Sequence, residues 1–111
     1  MNERVLKCLY DIKIAAEEID SFFKTESRDF ENYKGNSLLK RAIERNLEII
    51  GEAMNRILKE DPDFHLGNAK RIIGLRNQII HGYDTVSDES IWGIITNHLP
   101  KLKTEVDLLI K

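Results

Sequence analysis

Cysteine, proline and net charge are all scarce in this chain, and each scarcity excludes something. A single cysteine, Cys8, permits no internal disulfide and fits a reducing cytoplasm. With only Pro62 and Pro100 present, helices can run long distances without interruption. No apolar run approaches the roughly 20 residues that a membrane-spanning helix needs, so no membrane partner is expected. The start Met1-Asn2-Glu3-Arg4 lacks the basic-then-apolar layout of a secretion signal, and a cytoplasmic location is expected. The formal net charge is only -2, so no global field draws nucleic acid, and RNA binding would require a local basic patch.

What is there is helix. At 111 residues the chain suits a single domain, 1–111, and 41% hydrophobic with 32% charged residues fits a helix-rich protein with a charged outer face. From Glu3 to Phe23, Val5, Leu9, Ile12, Ala16, Ile19 and Phe23 recur at alternating steps of four and three, the pattern of one buried stripe. Glu17, Glu18 and Asp20 then form the solvated face. The periodicity lapses from Lys24 to Asn36, where 28–33 can form one short helical turn that sets Phe30 and Tyr33 over a bundle end. The longest helix is predicted from Ser37 to Glu60. Its apolar band, widened by Leu38 and Ile49, covers about half the circumference, more than packing on one side requires. The excess suggests a second contact surface, with self-association the simplest account. Asn46 lies inside the band and should hydrogen-bond a buried partner. Arg41, Arg45 and Arg56 lie on the less apolar side with Glu48 and Glu52, either as ordinary ion pairs or as the basic margin of a groove.

Asp61-Pro62 ends that helix, and His65 stands in the turn without a second ligand-type residue at metal spacing, so no metal site is expected. A further helix is predicted from Asn68 to His81, with Gly82 as its stop. Ser87 caps the last helix, whose stripe is Ile91, Ile95, Leu102, Val106 and Leu109 and which should kink at Pro100, near His98 or Leu99. His98 borders this stripe and is read as packing. No strand pattern competes. The expected architecture is all-α, an up-and-down bundle of four to five helices.

The sharpest chemical feature is Arg76-Asn77-Gln78-Ile79-Ile80-His81-Gly82-Tyr83. Relative to Ile72, Arg76 falls near ~40° around the helix, inside the apolar arc, where a guanidinium is costly unless paired or employed. Arg76 and His81 differ by about 140°, so they share one substrate only if the arginine reaches along the helix or a twofold axis brings two copies together. Arginine pairs bidentately with phosphate oxygens, and histidine moves protons near neutrality. With the RNA 2′-OH as internal nucleophile, that pair could act on a phosphodiester with no metal or other cofactor. The alternative is structural: Arg76 ion-pairs with an acidic residue, His81 caps the helix and Tyr83 packs.

These residues resemble the R-x-x-x-x-H-x-Y signature of the HEPN superfamily in its HepT-like branch. Arg45-Asn46-Leu47-Glu48-Ile49-Ile50-Gly51-Glu52-Ala53 is similar to that branch's second-helix segment. Ile91-Trp92-Gly93-Ile94-Ile95 with Leu99-Pro100 is similar to its last helix. The resemblance spans essentially the whole chain. It implies a homodimer in which Arg76 and His81 of both protomers line a cleft and act as a metal-independent endoribonuclease. It further implies the toxin half of a type VII-like toxin–antitoxin pair. The partner would be an MntA-like nucleotidyltransferase antitoxin that adds AMP to Tyr83 and can join a higher assembly. By position, Arg76 would contact the scissile phosphate, His81 would transfer protons, and Asn77 would orient His81. The other reading is a non-catalytic substrate- or nucleotide-binding subunit of a two-component nucleotidyltransferase.

Overall fold

The computed structural model describes residues 1–67, 69–81 and 86–110, with no strand among them. Local signals set the helix starts. Asn2 accepts from the Val5 amide to open α1 (Glu3–Phe22), and Asp29 accepts from Asn32 to open α2 (Phe30–Gly35). Asn36 accepts from Leu39 at the head of α3 (Ser37–Glu60). Then come α4 (Ala69–Ile80), α5 (Asp88–Gly93), a π-helical turn (Ile94–His98) and α6 (Leu99–Ile110). Ser87 caps α5 by accepting from the Ser90 amide, as expected.

The long α3 lies between α1 and α4, α1 also packs on α6, and α4 packs principally against α3. This arrangement corrects the inference drawn from the wide band on α3. Leu39, Ile43, Leu47, Ile50, Met54 and Ile57 are all buried within the chain, because α3 has neighbours on two sides. What remains uncovered on α3 is small: Leu38 is 80% exposed and Ile49 half-buried. The more continuous exposed apolar stripe is on α1, where Leu6, Tyr10 and Ile14 recur every fourth residue. Asn46 behaves as expected, buried and donating to the Ala42 carbonyl at 3.1 Å and to Glu18 at 3.4 Å.

Phe30 and Tyr33 close one end of the bundle. Tyr33 is fully buried with its ring centroid 5.4 Å from that of Trp92, while Phe23 and Phe30 flank the same indole at 6.0 and 6.3 Å. Burial first, and then the charges of Asp88 and Glu44, hold the Tyr33 phenol well above its ordinary pKa.

At Pro100 the expectation of a kink is refined. The chain widens into the π turn just upstream, where the Leu99 amide donates to the Ile94 carbonyl five residues back. Pro100 then sits at the second position of α6, directly after the widened turn. Buried Leu102 and Val106 resume the stripe beyond it, whereas Leu109 is partly exposed.

One glycine fixes the position of α4. A Cβ on Gly51 would lie 2.5 Å from Arg76 Cβ, 2.8 Å from Arg76 Cγ and 3.4 Å from the Ile72 carbonyl oxygen. These atoms are near the α4 backbone and cannot swing away. Gly51→Ala should gain roughly 0.5–1 kcal/mol of helix propensity. Against this stands an overpacking cost of roughly 1–3 kcal/mol. The clash should win, giving net destabilisation in a denaturant titration, whereas Gly74→Ala, with open space before its Cβ, should stabilise.

Candidate active site

The close approach at Gly51 lays the Arg76 stem across α3 and brings its guanidinium beside the next residue, Glu52. Arg76 Nη2 donates to Glu52 Oε2 at 2.5 Å, and Nη1 donates to Asn77 Oδ1 at 2.8 Å. Arg76 Nε is buried and has no hydrogen-bond partner among the described residues. The side chain is 22% exposed. Its position inside the apolar arc thus resolves into a guanidinium clamped from two sides with part of one edge open to solvent.

That open edge faces a cleft of about 370 Å³, walled by α3 and α4 and lined by Arg45, Glu48, Glu52, Arg56, Arg76 and Ile80, with Asp11 of α1 at its margin. Both readings hold for Arg45 and Arg56, whereas Arg41 does not line the cleft. Arg56 pairs with Glu52 at 3.2 Å and Arg45 with Glu48 at 3.4 Å, and all four side chains also form the cleft wall. Three arginines therefore face three carboxylates. A phosphate entering here meets cations that are already oriented but shared with Glu48 and Glu52.

Asn77 is tied to both of its expected associates. Its side-chain oxygen accepts from Arg76, and its main-chain carbonyl accepts from the His81 amide at 3.1 Å. Its side-chain bond is to the arginine it was not expected to orient. His81 itself is exposed in the turn that follows Ile80. Being five residues past Arg76 on an ordinary helix, it points about 140° away from it. Within one chain, Arg76 and Ile80 line the cleft, and His81 is not among its lining residues. Tyr83 and the helix stop Gly82 lie outside the described residues.

Glu52 is the residue that pattern reading missed. Its i,i+4 spacing to Arg56 explained it adequately as a surface pair, and nothing in helical periodicity links positions 52 and 76. The usable signal was Gly51: a glycine inside a strongly apolar helix marks a close crossing, and the residue beside a crossing meets the partner helix. The described residues hold no cluster of three or more His, Cys, Asp or Glu side chains with metal-binding geometry. His98, read as packing, is half-buried and within 2.8 Å of Arg71 Nη1. No helix among the described residues is long and apolar enough to cross a membrane.

Comparison with known proteins bears directly on this arrangement. The chain is similar to "Putative RNase MJ1380" of Methanocaldococcus jannaschii, 35% identical over 112 residues covering 98% of this chain and 100% of that protein. It is similar to "Putative RNase MJ0125" of the same organism at 33%, covering 100% and 96%. It is also similar to "Probable ribonuclease HepT" of Thermococcus cleftensis, at 32% identity and 93% coverage of both chains. No solved structure matches it. The family model described as "Ribonuclease HepT-like" matches residues 12–109, a span that includes Gly51, Glu52, Arg76 and His81 together. The chain belongs to the HepT-like ribonuclease family.

Proposed function

We propose that this protein is a metal-independent endoribonuclease, the toxin of a type VII-like toxin–antitoxin pair, using Arg76 and His81 across a homodimer. The observation that carries the reading is the clamped, half-open guanidinium of Arg76 in a cleft of its own, in a chain of a ribonuclease family. In the proposed step the RNA 2′-oxygen attacks the adjacent phosphorus and the P–O5′ bond breaks. The products are a 2′,3′-cyclic phosphate and a free 5′-OH. Arg76 stabilises charge gathering on the non-bridging oxygens, and His81 moves the proton between the 2′-OH and the leaving oxygen.

The about 140° between Arg76 and His81 is the reason for invoking two copies. A twofold axis beside α4 lets the histidine of one protomer face the arginine of the other. The exposed apolar side chains Ile80 on α4 and Leu6, Tyr10 and Ile14 on α1 support such a contact, since a soluble monomer gains nothing from exposing them. Tyr83, two residues beyond His81, is the proposed acceptor of AMP from a nucleotidyltransferase antitoxin. The modification would add bulk and negative charge where substrate phosphate must approach.

In EDTA, unmodified wild type should cleave RNA to 2′,3′-cyclic ends. Arg76→Ala and His81→Ala should each cut the rate by about 10²–10⁴-fold while the dimer and its melting transition persist. Mixing the two inactive variants should restore activity to a fraction of the dimers. Absence of cleavage by folded, unmodified wild type across diverse RNAs would favour the nucleotide-binding subunit instead. Co-expression with the antitoxin should add mass in multiples of AMP at Tyr83, and AMP found only elsewhere removes that assignment.

Glu52 is proposed to position the arginine. Glu52→Gln should cost about 1 kcal/mol of stability, since the pair is partly exposed and screened. It should lower kcat roughly tenfold or more with KM changed less, because a loosened guanidinium is misplaced in the transition state. Faster cleavage by Glu52→Gln would instead make this carboxylate a competitor of the substrate phosphate.

A further inference from the structure

The opposite side of α4 carries a second arrangement that the Arg76 cleft does not use. Lys70, Arg71, Gly74 and Gln78 share a face roughly 180° from Arg76 on an ideal helix. Because α4 packs principally against α3, this face stands away from α5 and the π turn and leaves a cleft of about 450 Å³ between them. Gly74 on one wall and Gly93 on the other keep it open, with nothing within 4 Å of where either Cβ would be. A second cleft of about 520 Å³ adjoins it, running under the 62–67 turn and lined by Pro62, Phe64, His65 and Leu66. Lys70, Arg71 and His98 line both, so they form the ridge between the two.

The chemistry of the ridge is one-sided. Arg71 Nη1 donates to His98 Nε2 at 2.8 Å, which requires that nitrogen to carry a lone pair. Partial burial, then the charges of Arg71 and Lys101, hold the His98 imidazolium below its ordinary range, so the ring is neutral near pH 7. Glu89 is the carboxylate lining the first cleft, and the second is lined by none among the described residues. Among the described residues, Arg71 is thus paired with an imidazole where Arg76 is paired with the carboxylate of Glu52.

We propose that Lys70, Arg71 and His98 form a phosphate subsite, and that the adjoining cleft over Pro62, Phe64 and His65 receives the nucleobase carried by that phosphate. The phosphate takes the guanidinium in place of the neutral imidazole, and the half-buried Phe64 and the His65 ring offer the flat apolar surface a base stacks on. The ligand is a nucleotide unit, either within an RNA strand or free. The strand form rests on the ribonuclease reading, with this site holding RNA away from the scissile bond. The free form stands without it.

The three histidines give a direct readout, since their ring resonances can be assigned with His65→Gln and His81→Gln. Inorganic phosphate, AMP and an uncleavable 2′-O-methyl oligoribonucleotide would each be titrated into the full-length protein in EDTA. The expected result is a saturable shift of the His98 resonances with its titration midpoint raised, movement of His65 with AMP and oligonucleotide but not phosphate, and at least tenfold weaker binding by Arg71→Gln. Oligonucleotide binding tenfold or more tighter than AMP assigns the strand, and Arg71→Gln should then raise KM for long RNA more than it lowers kcat. AMP binding as tight as the oligonucleotide assigns a free nucleotide. No His98 response to any of the three, or binding unaltered in Arg71→Gln, overturns the proposal. Cleavage without a His98 response would reject this site alone, and a His98 response without cleavage would reject the ribonuclease reading alone.

Discussion

The close crossing of α3 and α4 at Gly51 is the constraint on which the site depends. With no side chain at 51, the β- and γ-carbons of Arg76 fill the space a methyl group would take, and the guanidinium emerges beside Glu52. Stability and chemistry are thus joined in three consecutive residues of α3. Gly51 sets the distance between helices, Glu52 sets the direction of the arginine, and Ala53 keeps the neighbouring surface thin enough for a cleft. A larger residue at 51 would displace Arg76 first, because its β- and γ-carbons are the atoms in the way.

The same crossing explains why α4 can serve two faces. A 12-residue helix packed on one neighbour leaves much of its circumference uncovered. One exposed flank holds Arg76 over the α3 wall, and the other holds Lys70 and Arg71 across from the π turn. The charges on the two flanks are handled differently. Arg76 is neutralised by a carboxylate of its own chain and shaped by it, whereas Arg71 leans on an uncharged imidazole. In the proposed reading a phosphate gains more from the second arrangement in binding, because the described partner of Arg71 is an uncharged imidazole and not a carboxylate. The first is better suited to a charge that appears only in the transition state, because its geometry is fixed beforehand.

Most of the fold was legible in the sequence, for reasons that individual residues show. The bounds of α3 follow from Asn36 as a cap and Asp61-Pro62 as a stop, both local signals that need no tertiary information. Asn46 was legible because a polar residue inside an apolar arc has few alternatives to a buried hydrogen bond. The width of the α3 band was read correctly as excess surface but assigned to the wrong neighbour. Periodicity reports how much of a helix is covered, not whether the cover comes from the same chain. The π turn before Pro100 was not legible, since an i→i+5 turn carries no residue pattern distinct from a proline kink.

At the site, Arg76 was found because its placement contradicted its chemistry, and its resolution in Glu52 needed a contact 24 residues away. Asn77 shows the limit from the other side. The four-residue spacing that linked it to His81 is real and is realised in the backbone, yet its side chain turns to the adjacent arginine. Spacing defines which partners a side chain can reach, and charge decides among them. A guanidinium lying partly out of water, with one nitrogen buried and unpartnered, draws the nearest neutral acceptor more strongly than an exposed imidazole does. Arg76 is accordingly paired within its own chain, and His81 stands at the helix end, outside the lining of the cleft that Arg76 faces. The proposed sharing of one site between two protomers rests on that separation: the arginine is held by its own chain, and the histidine lies about 140° around the helix from it.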